Sequence, residues 1–96
     1  MKMKTNANVL AKKLGLSKAR SLEAVIKADL IDAVLRMIER SGLTHVELAM
    51  RAGLPRSAVT GILSGSLQKV TLDRVLKLVE GAGLTAEIKV RKARAA

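Results

Sequence analysis

The sequence predicts a mainly α-helical fold closed by one C-terminal β-strand, and three observations predict it. Apolar residues recur at helical spacing over residues 21–41 and again over 72–79. Between them, Thr44, Gly53 and Pro55 punctuate residues 44–65 as a helix, a tight turn and a second helix. Near the end, Ala86, Ile88 and Val90 alternate with Glu87, Lys89 and Arg91, the period of a half-buried strand.

Residues 1–20 form a basic arm, with Lys2, Lys4, Lys12, Lys13, Lys18 and Arg20 and no acidic residue. Val9, Leu10 and Leu14 supply a short helical turn that Gly15 would end, too little to stand alone. Residues 21–84 are then the folded domain. Its first helix, Ser21 to Ser41, sets Leu30, Ile31, Val34, Leu35 and Ile38 against Asp32, Arg36, Glu39 and Arg40. Asp32 precedes Arg36 by four residues, the favourable order for a helical ion pair, and Gly42 stops the helix. Met37 and Met50 sit among aliphatic neighbours and read as core fillers.

The stretch THVELAMRAGLPRSAVTGILSG, residues 44–65, organises the chain. Thr44 stands three residues before Glu47, the capping-box spacing that satisfies free amides at a helix start. Ala49 is small where two crossing helices need close approach, and Gly53 permits the left-handed backbone that ends the first helix. Pro55 suits the first turn of the next. Val59, Ile62 and Leu63 give that second helix an apolar side, leaving Arg56, Ser57 and Thr60 to point away. A polar loop, Gly65 to Lys69, leads to Thr71, which caps a helix with the stripe Leu72, Val75, Leu76 and Val79, ended by Gly81-Ala82-Gly83. That glycine doublet has neither the preceding strand nor the third glycine of a nucleotide-binding turn.

Residues 85–92 are the strand and 93–96 a tail. One strand needs a neighbour, and the rest of the chain reads as helix. Ala86, Ile88 and Val90 are therefore expected to pair with their copies in a second subunit, giving an antiparallel ribbon and a homodimer.

A net charge of +10 on 96 residues points to a polyanionic partner. The chain has no Phe, Tyr or Trp. Single-strand binders stack bases on such rings and membrane-surface helices anchor with them, whereas binding to a duplex needs none. Double-stranded DNA is the partner this composition favours, and no membrane partner is expected. Without cysteine there is no disulfide, thiolate nucleophile or cysteine–zinc cluster. No segment has a signal-peptide core or the length of a membrane span, so a cytoplasmic, nucleoid-associated protein is expected. His45 is the one histidine, and Asp29 and Asp32 form no carboxylate cluster with a second pair. No catalytic residue, metal site or cofactor is expected, and the chain is not expected to be an enzyme.

The spacing of His45, Ala49, Gly53, Val59 and Ile62, closed by Ser64-Gly65, resembles the helix-turn-helix of the phage-repressor or xenobiotic-response-element family. With NVLAKKLGL, the long helix, TLDRVLKLVEGAGL and AEIKV, the likeness covers nearly all of residues 6–92 and is greatest to the HigA-type antitoxins of toxin–antitoxin pairs. The resemblance implies a five-helix, lambda-repressor-like domain with a dimerising C-terminal strand. It also implies a repressor of its own operon that neutralises a cognate RelE-like or HigB-like toxin.

In helix-turn-helix geometry the second helix enters the major groove with its N-terminal end toward the bases. Arg56, Ser57, Thr60 and Gly61 are then the base-reading positions: an arginine suits a guanine edge and a hydroxyl suits either base type. Thr44, His45, Ser64, Ser66, Gln68 and Lys69 flank the groove as phosphate contacts, Thr44 being a cap first. Two such units on a two-fold axis would bind half-sites about 34 Å apart in a near-palindromic operator. The alternatives are a solitary regulator without a toxin, a protein-interaction adaptor, and a nonspecific nucleic-acid binder.

Overall fold

Four helices follow one another in the computed structural model, which describes residues 18–65 and 70–92. They are α1 (Lys18–Ser41), α2 (His45–Ala52), α3 (Arg56–Leu63) and α4 (Leu72–Gly81). The helical turn expected around Val9 to Leu14, most of the loop before Thr71 and the tail at 93–96 lie outside the described residues.

Helix α1 begins at Lys18, three residues ahead of the expected Ser21. The Asp32–Arg36 pair forms as the spacing requires, with Arg36 Nη2 donating to Asp32 Oδ2 at 3.0 Å. A second i,i+4 pair joins Lys27 Nζ to Glu23 Oε1 at 3.0 Å and leaves the Lys27 side chain almost wholly covered. Ser21, Lys27 and Asp29 are buried polar residues that apolar periodicity does not reveal. Ser21 Oγ and Asp29 Oδ2 find no hydrogen-bond partner among the described residues.

The capping box at the start of α2 is complete. Glu47 N–H donates to Thr44 Oγ1 at 3.1 Å, and Thr44 N–H donates to Glu47 Oε1 at 3.2 Å. Gly53 ends α2 at φ 69°, in the left-handed region. The amide of Leu54 reaches back to the Ala49 carbonyl at 3.0 Å and that of Gly53 to Met50 at 3.4 Å, the paired bonds of a Schellman turn. Pro55 stands one residue before the first turn of α3, at φ −63°, and its carbonyl accepts from Ala58 and Val59. Three residues, 53–55, thus re-aim the chain between the two helices. Thr71 caps α4, its Oγ1 accepting from Arg74 N–H at 3.3 Å.

Helix α4 packs on α1 and α2, α3 packs on α2, and α1 also touches α3. Their shared core is Leu30, Ile31, Val34, Leu48, Ala49, Val59, Ile62, Val75, Leu78, Val79 and Ala82. Val34, Leu48, Val59, Val75 and Leu78 are sealed from solvent.

The packing corrects two expectations. Met50 is 79 % exposed and fills no core: one residue beyond buried Ala49, it is rotated about 100° off the inward stripe, while Met37 does pack on the core. Leu35 and Leu76, assigned to apolar stripes, lie more than a third exposed at the stripe edges. Leu78 takes the inward place on α4, three residues after Val75. Helix α4 ends at Gly81-Ala82-Gly83 as expected, Gly81 being its last residue and Gly83 supplying the left-handed turn, at φ 78°. Gly81 is buried, and a Cβ there would come to 3.0 Å from the Ala52 nitrogen.

No strand occurs among the described residues. From Leu84 to Lys92 the single chain offers no neighbouring edge to hydrogen-bond, so the expected strand is not formed within it. Ala86 packs against the core, whereas Ile88 and Val90 are 72 % and 92 % exposed.

Candidate nucleic-acid interface

Helix α3 is two-faced. Val59 and Ile62 are buried, and Arg56, Ser57 and Thr60 are exposed. At about 100° per residue, Arg56, Thr60, Ser57 and Gly61 fall in one continuous arc opposite Val59 and Ile62. The four expected base-reading positions therefore share a face. Arg56 is the first residue of the helix and makes no ion pair among the described residues, so its guanidinium is available to a ligand.

Gly61 is half-buried, and a Cβ built there would meet nothing within 4 Å. Neither a positive φ nor a neighbouring atom within the chain calls for glycine. It leaves a strip of bare backbone on the exposed arc.

The flanking residues differ in what they have left to give. The Thr44 hydroxyl donates to Glu47 Oε1 at 3.0 Å while accepting the Glu47 amide, so its hydrogen is engaged in the cap. The Thr44 amide and, after it, the Thr44 hydroxyl both donate to Glu47 Oε1 and favour the ionised carboxylate, and with nearby Arg51 they hold the Glu47 pKa below its ordinary value. Ser64 donates its hydroxyl to the Gly61 carbonyl at 2.9 Å. A phosphate oxygen only accepts, so Ser64 has to release that bond before it can donate to one. Ser66, Gln68 and Lys69 lie outside the described residues.

His45 is the first residue of α2 and is partly buried. Its Nδ1 lies 3.4 Å from Thr60 Oγ1, a side-chain contact between the two helices of the motif that spans fifteen positions of sequence. The direction of the hydrogen bond depends on the imidazole tautomer. Periodicity places His45 and Thr60 each on an outer face but does not bring them together. The crossing of α2 and α3, set by the turn at Gly53, does that.

Arg51 and Met50, on the exposed side of α2, were not among the expected contacts. No group of histidine, aspartate and glutamate side chains that could hold a metal ion occurs among the described residues. No helix among them is long and apolar enough to cross a membrane.

Neither a curated protein nor a solved structure matches the chain. A protein family does, over residues 10–91, a span that takes in all four helices and most of the C-terminal segment. The geometry and the match agree: a capped helix, a glycine turn and a second helix with one buried and one polar face, in a family of DNA-binding modules that are typically not enzymes. The chain belongs to the helix-turn-helix domain family.

Proposed function

We propose that this protein is a sequence-specific, dimeric transcriptional repressor that binds double-stranded DNA through α3. The observation that carries this is the single polar arc of α3, where Arg56, Ser57 and Thr60 are exposed directly behind a sealed Val59 and Ile62. A helix so anchored holds its outer residues rigidly enough to be set against base edges. Arg56 would pair with a guanine edge, and Thr60, one helical turn later, would offer its hydroxyl to a base in the same groove. The net charge of +10 supplies the phosphate attraction that brings the two together.

Dimerisation through residues 85–92 is supported by Ile88 and Val90, which are apolar and largely bare in the single chain. Pairing two copies as a ribbon would cover them and satisfy the backbone groups left open after Leu84. The antitoxin role, with a RelE-like or HigB-like toxin as partner, rests on the resemblance of residues 6–92 to HigA-type antitoxins. The xenobiotic-response-element assignment rests on the motif spacing at residues 44–65.

A gel shift and footprint on DNA upstream of the gene, at physiological salt, tests the function. A near-palindromic footprint with half-sites about 34 Å apart is expected. Equal affinity for unrelated duplexes would instead identify a nonspecific binder, and no shift at all would favour a protein adaptor.

A further inference from the structure

The contact between His45 and Thr60 joins an expected phosphate contact to an expected base reader through a single imidazole ring. We infer that His45 is a positioning residue that fixes the hydrogen-bonding polarity of Thr60, so that Thr60 selects a base bearing an exocyclic amino group, adenine or cytosine. This inference rests on the reading that α3 enters the major groove.

A threonine hydroxyl has one hydrogen to donate and two lone pairs to accept with, and its hydrogen rotates to suit. Left free, it is a poor discriminator, because it can serve a base donor or a base acceptor equally. The Nδ1 of His45, 3.4 Å away, removes that freedom. The ring occupies the start of α2, a helix N-terminus, which flanks the groove and favours a neighbouring anion. Only Nε2 is left to face a phosphate, and since phosphate oxygens accept, Nε2 must carry the hydrogen. In the neutral ring Nδ1 is then the acceptor, and it takes the hydrogen of Thr60 Oγ1. What Thr60 has left for the groove is lone pairs alone. Those match the amino groups at adenine N6 and cytosine N4 and oppose guanine O6 and thymine O4.

Phosphate contact and base choice are thereby coupled. The DNA backbone sets the tautomer of His45, and the tautomer sets what Thr60 accepts. A distance of 3.4 Å is long for a hydrogen bond, and a phosphate holding the ring in place would shorten it.

The test starts from a pool of randomised synthetic duplexes enriched with the full-length wild-type chain. Binding of the enriched duplex and its single-base-pair variants is then measured for wild type, Thr60→Val, His45→Ala and His45→Gln. A base pair whose identity matters to wild type but not to Thr60→Val locates the Thr60 contact. At that pair, replacing the adenine or cytosine by its analogue lacking the exocyclic amino group should weaken wild-type binding about threefold to tenfold, whereas replacing the partner thymine or guanine by an analogue lacking its major-groove carbonyl oxygen should not. Loss of the amino group should have no effect on His45→Ala. His45→Gln should restore the preference, because its amide nitrogen can donate to phosphate while its oxygen accepts from Thr60. Melting curves confirm that each variant is folded.

The inference is overturned if, at the Thr60-sensitive pair, wild-type binding is unchanged by loss of the exocyclic amino group and is weakened by loss of the guanine or thymine carbonyl oxygen. It is equally overturned if Thr60→Val leaves every pair unchanged, or if His45→Ala weakens all duplexes uniformly and keeps the amino-group preference. In these cases base reading by α3 survives. If wild type enriches no sequence at all, the proposed function fails and the inference goes with it.

Discussion

Gly81, the last residue of α4, lies so close to Ala52, the last residue of α2, that a Cβ on Gly81 would approach the Ala52 nitrogen to 3.0 Å and its Cβ to 3.1 Å. Helix ends that approach backbone to backbone have little room to give. Alanine gains about 1 kcal/mol of helix propensity over glycine, but overpacking costs about 1–3 kcal/mol. Gly81→Ala should therefore destabilise the fold by about 1 kcal/mol, and Gly81→Val by about 3 kcal/mol, in urea unfolding. A gain in stability from Gly81→Ala would mean that the two helix ends separate at little cost.

The other helical glycine should behave in the opposite way. A Cβ at Gly61 meets nothing within 4 Å, so Gly61→Ala should raise stability by about 1 kcal/mol. If bare backbone at this point lets α3 approach the bases, the same substitution should weaken binding to the enriched duplex. Melting temperature and affinity would then move in opposite directions, whereas unchanged affinity would show that Gly61 does not meet DNA.

Arg56 and Lys69 are expected to separate base reading from backbone attraction. Arg56→Ala should cost about 1–3 kcal/mol on the cognate duplex and little on unrelated ones. Lys69→Ala should weaken all duplexes alike and lower the salt slope of log affinity by about one. Titrations at several salt concentrations distinguish the two, and an equal loss from Arg56→Ala on every sequence would remove it as a reader.

Glu47 should give the start of α2 a pH dependence. Its pKa is lowered in the folded chain by the two Thr44 hydrogen bonds and by Arg51, from an ordinary value of 4.5. A depressed carboxyl contributes stability that is fully present above pH 4.5 and is lost as pH falls through the lowered value. Glu47→Gln keeps the geometry of the cap without the charge. Melting temperatures of wild type and Glu47→Gln should differ above pH 4.5 and converge below it.

Removal of residues 85–96 should separate folding from assembly. The core ends at Leu84, apart from the partly buried Ala86, so the truncated chain should fold but scatter light as a monomer, with the full chain a dimer. A truncated chain that remains dimeric would place the interface elsewhere.

The sequence made α2 and α3 legible because their signals are local. A capping box at Thr44 and Glu47, a left-handed glycine at 53 and a proline at 55 each act within one helical turn, and each appears where its spacing required. Asp32 and Arg36 were legible for the same reason. What periodicity could not resolve was the width of a buried stripe. Met50 differs from Ala49 by a single step along the helix, yet one is bare and the other sealed. Gly81 and Gly83 look alike in the sequence, but only the contact with Ala52 separates a packing glycine from a turning one. The pairing of His45 with Thr60 depends on how two helices cross and leaves no mark in either. The C-terminal alternation has the period of a strand, yet residues 84–92 form none in the single chain, because alternation marks which side chains share a face and does not supply a hydrogen-bonding neighbour.

The position of Met50 also bears on oxidative chemistry. Its thioether stands in solvent on the outer side of α2, whereas that of Met37 is packed on the core. Peroxide reaches the exposed sulfur more readily, and the polar sulfoxide it forms displaces nothing from the interior. Oxidation of Met50 should therefore leave the fold intact, whereas oxidation of Met37 would set a polar sulfoxide against the core.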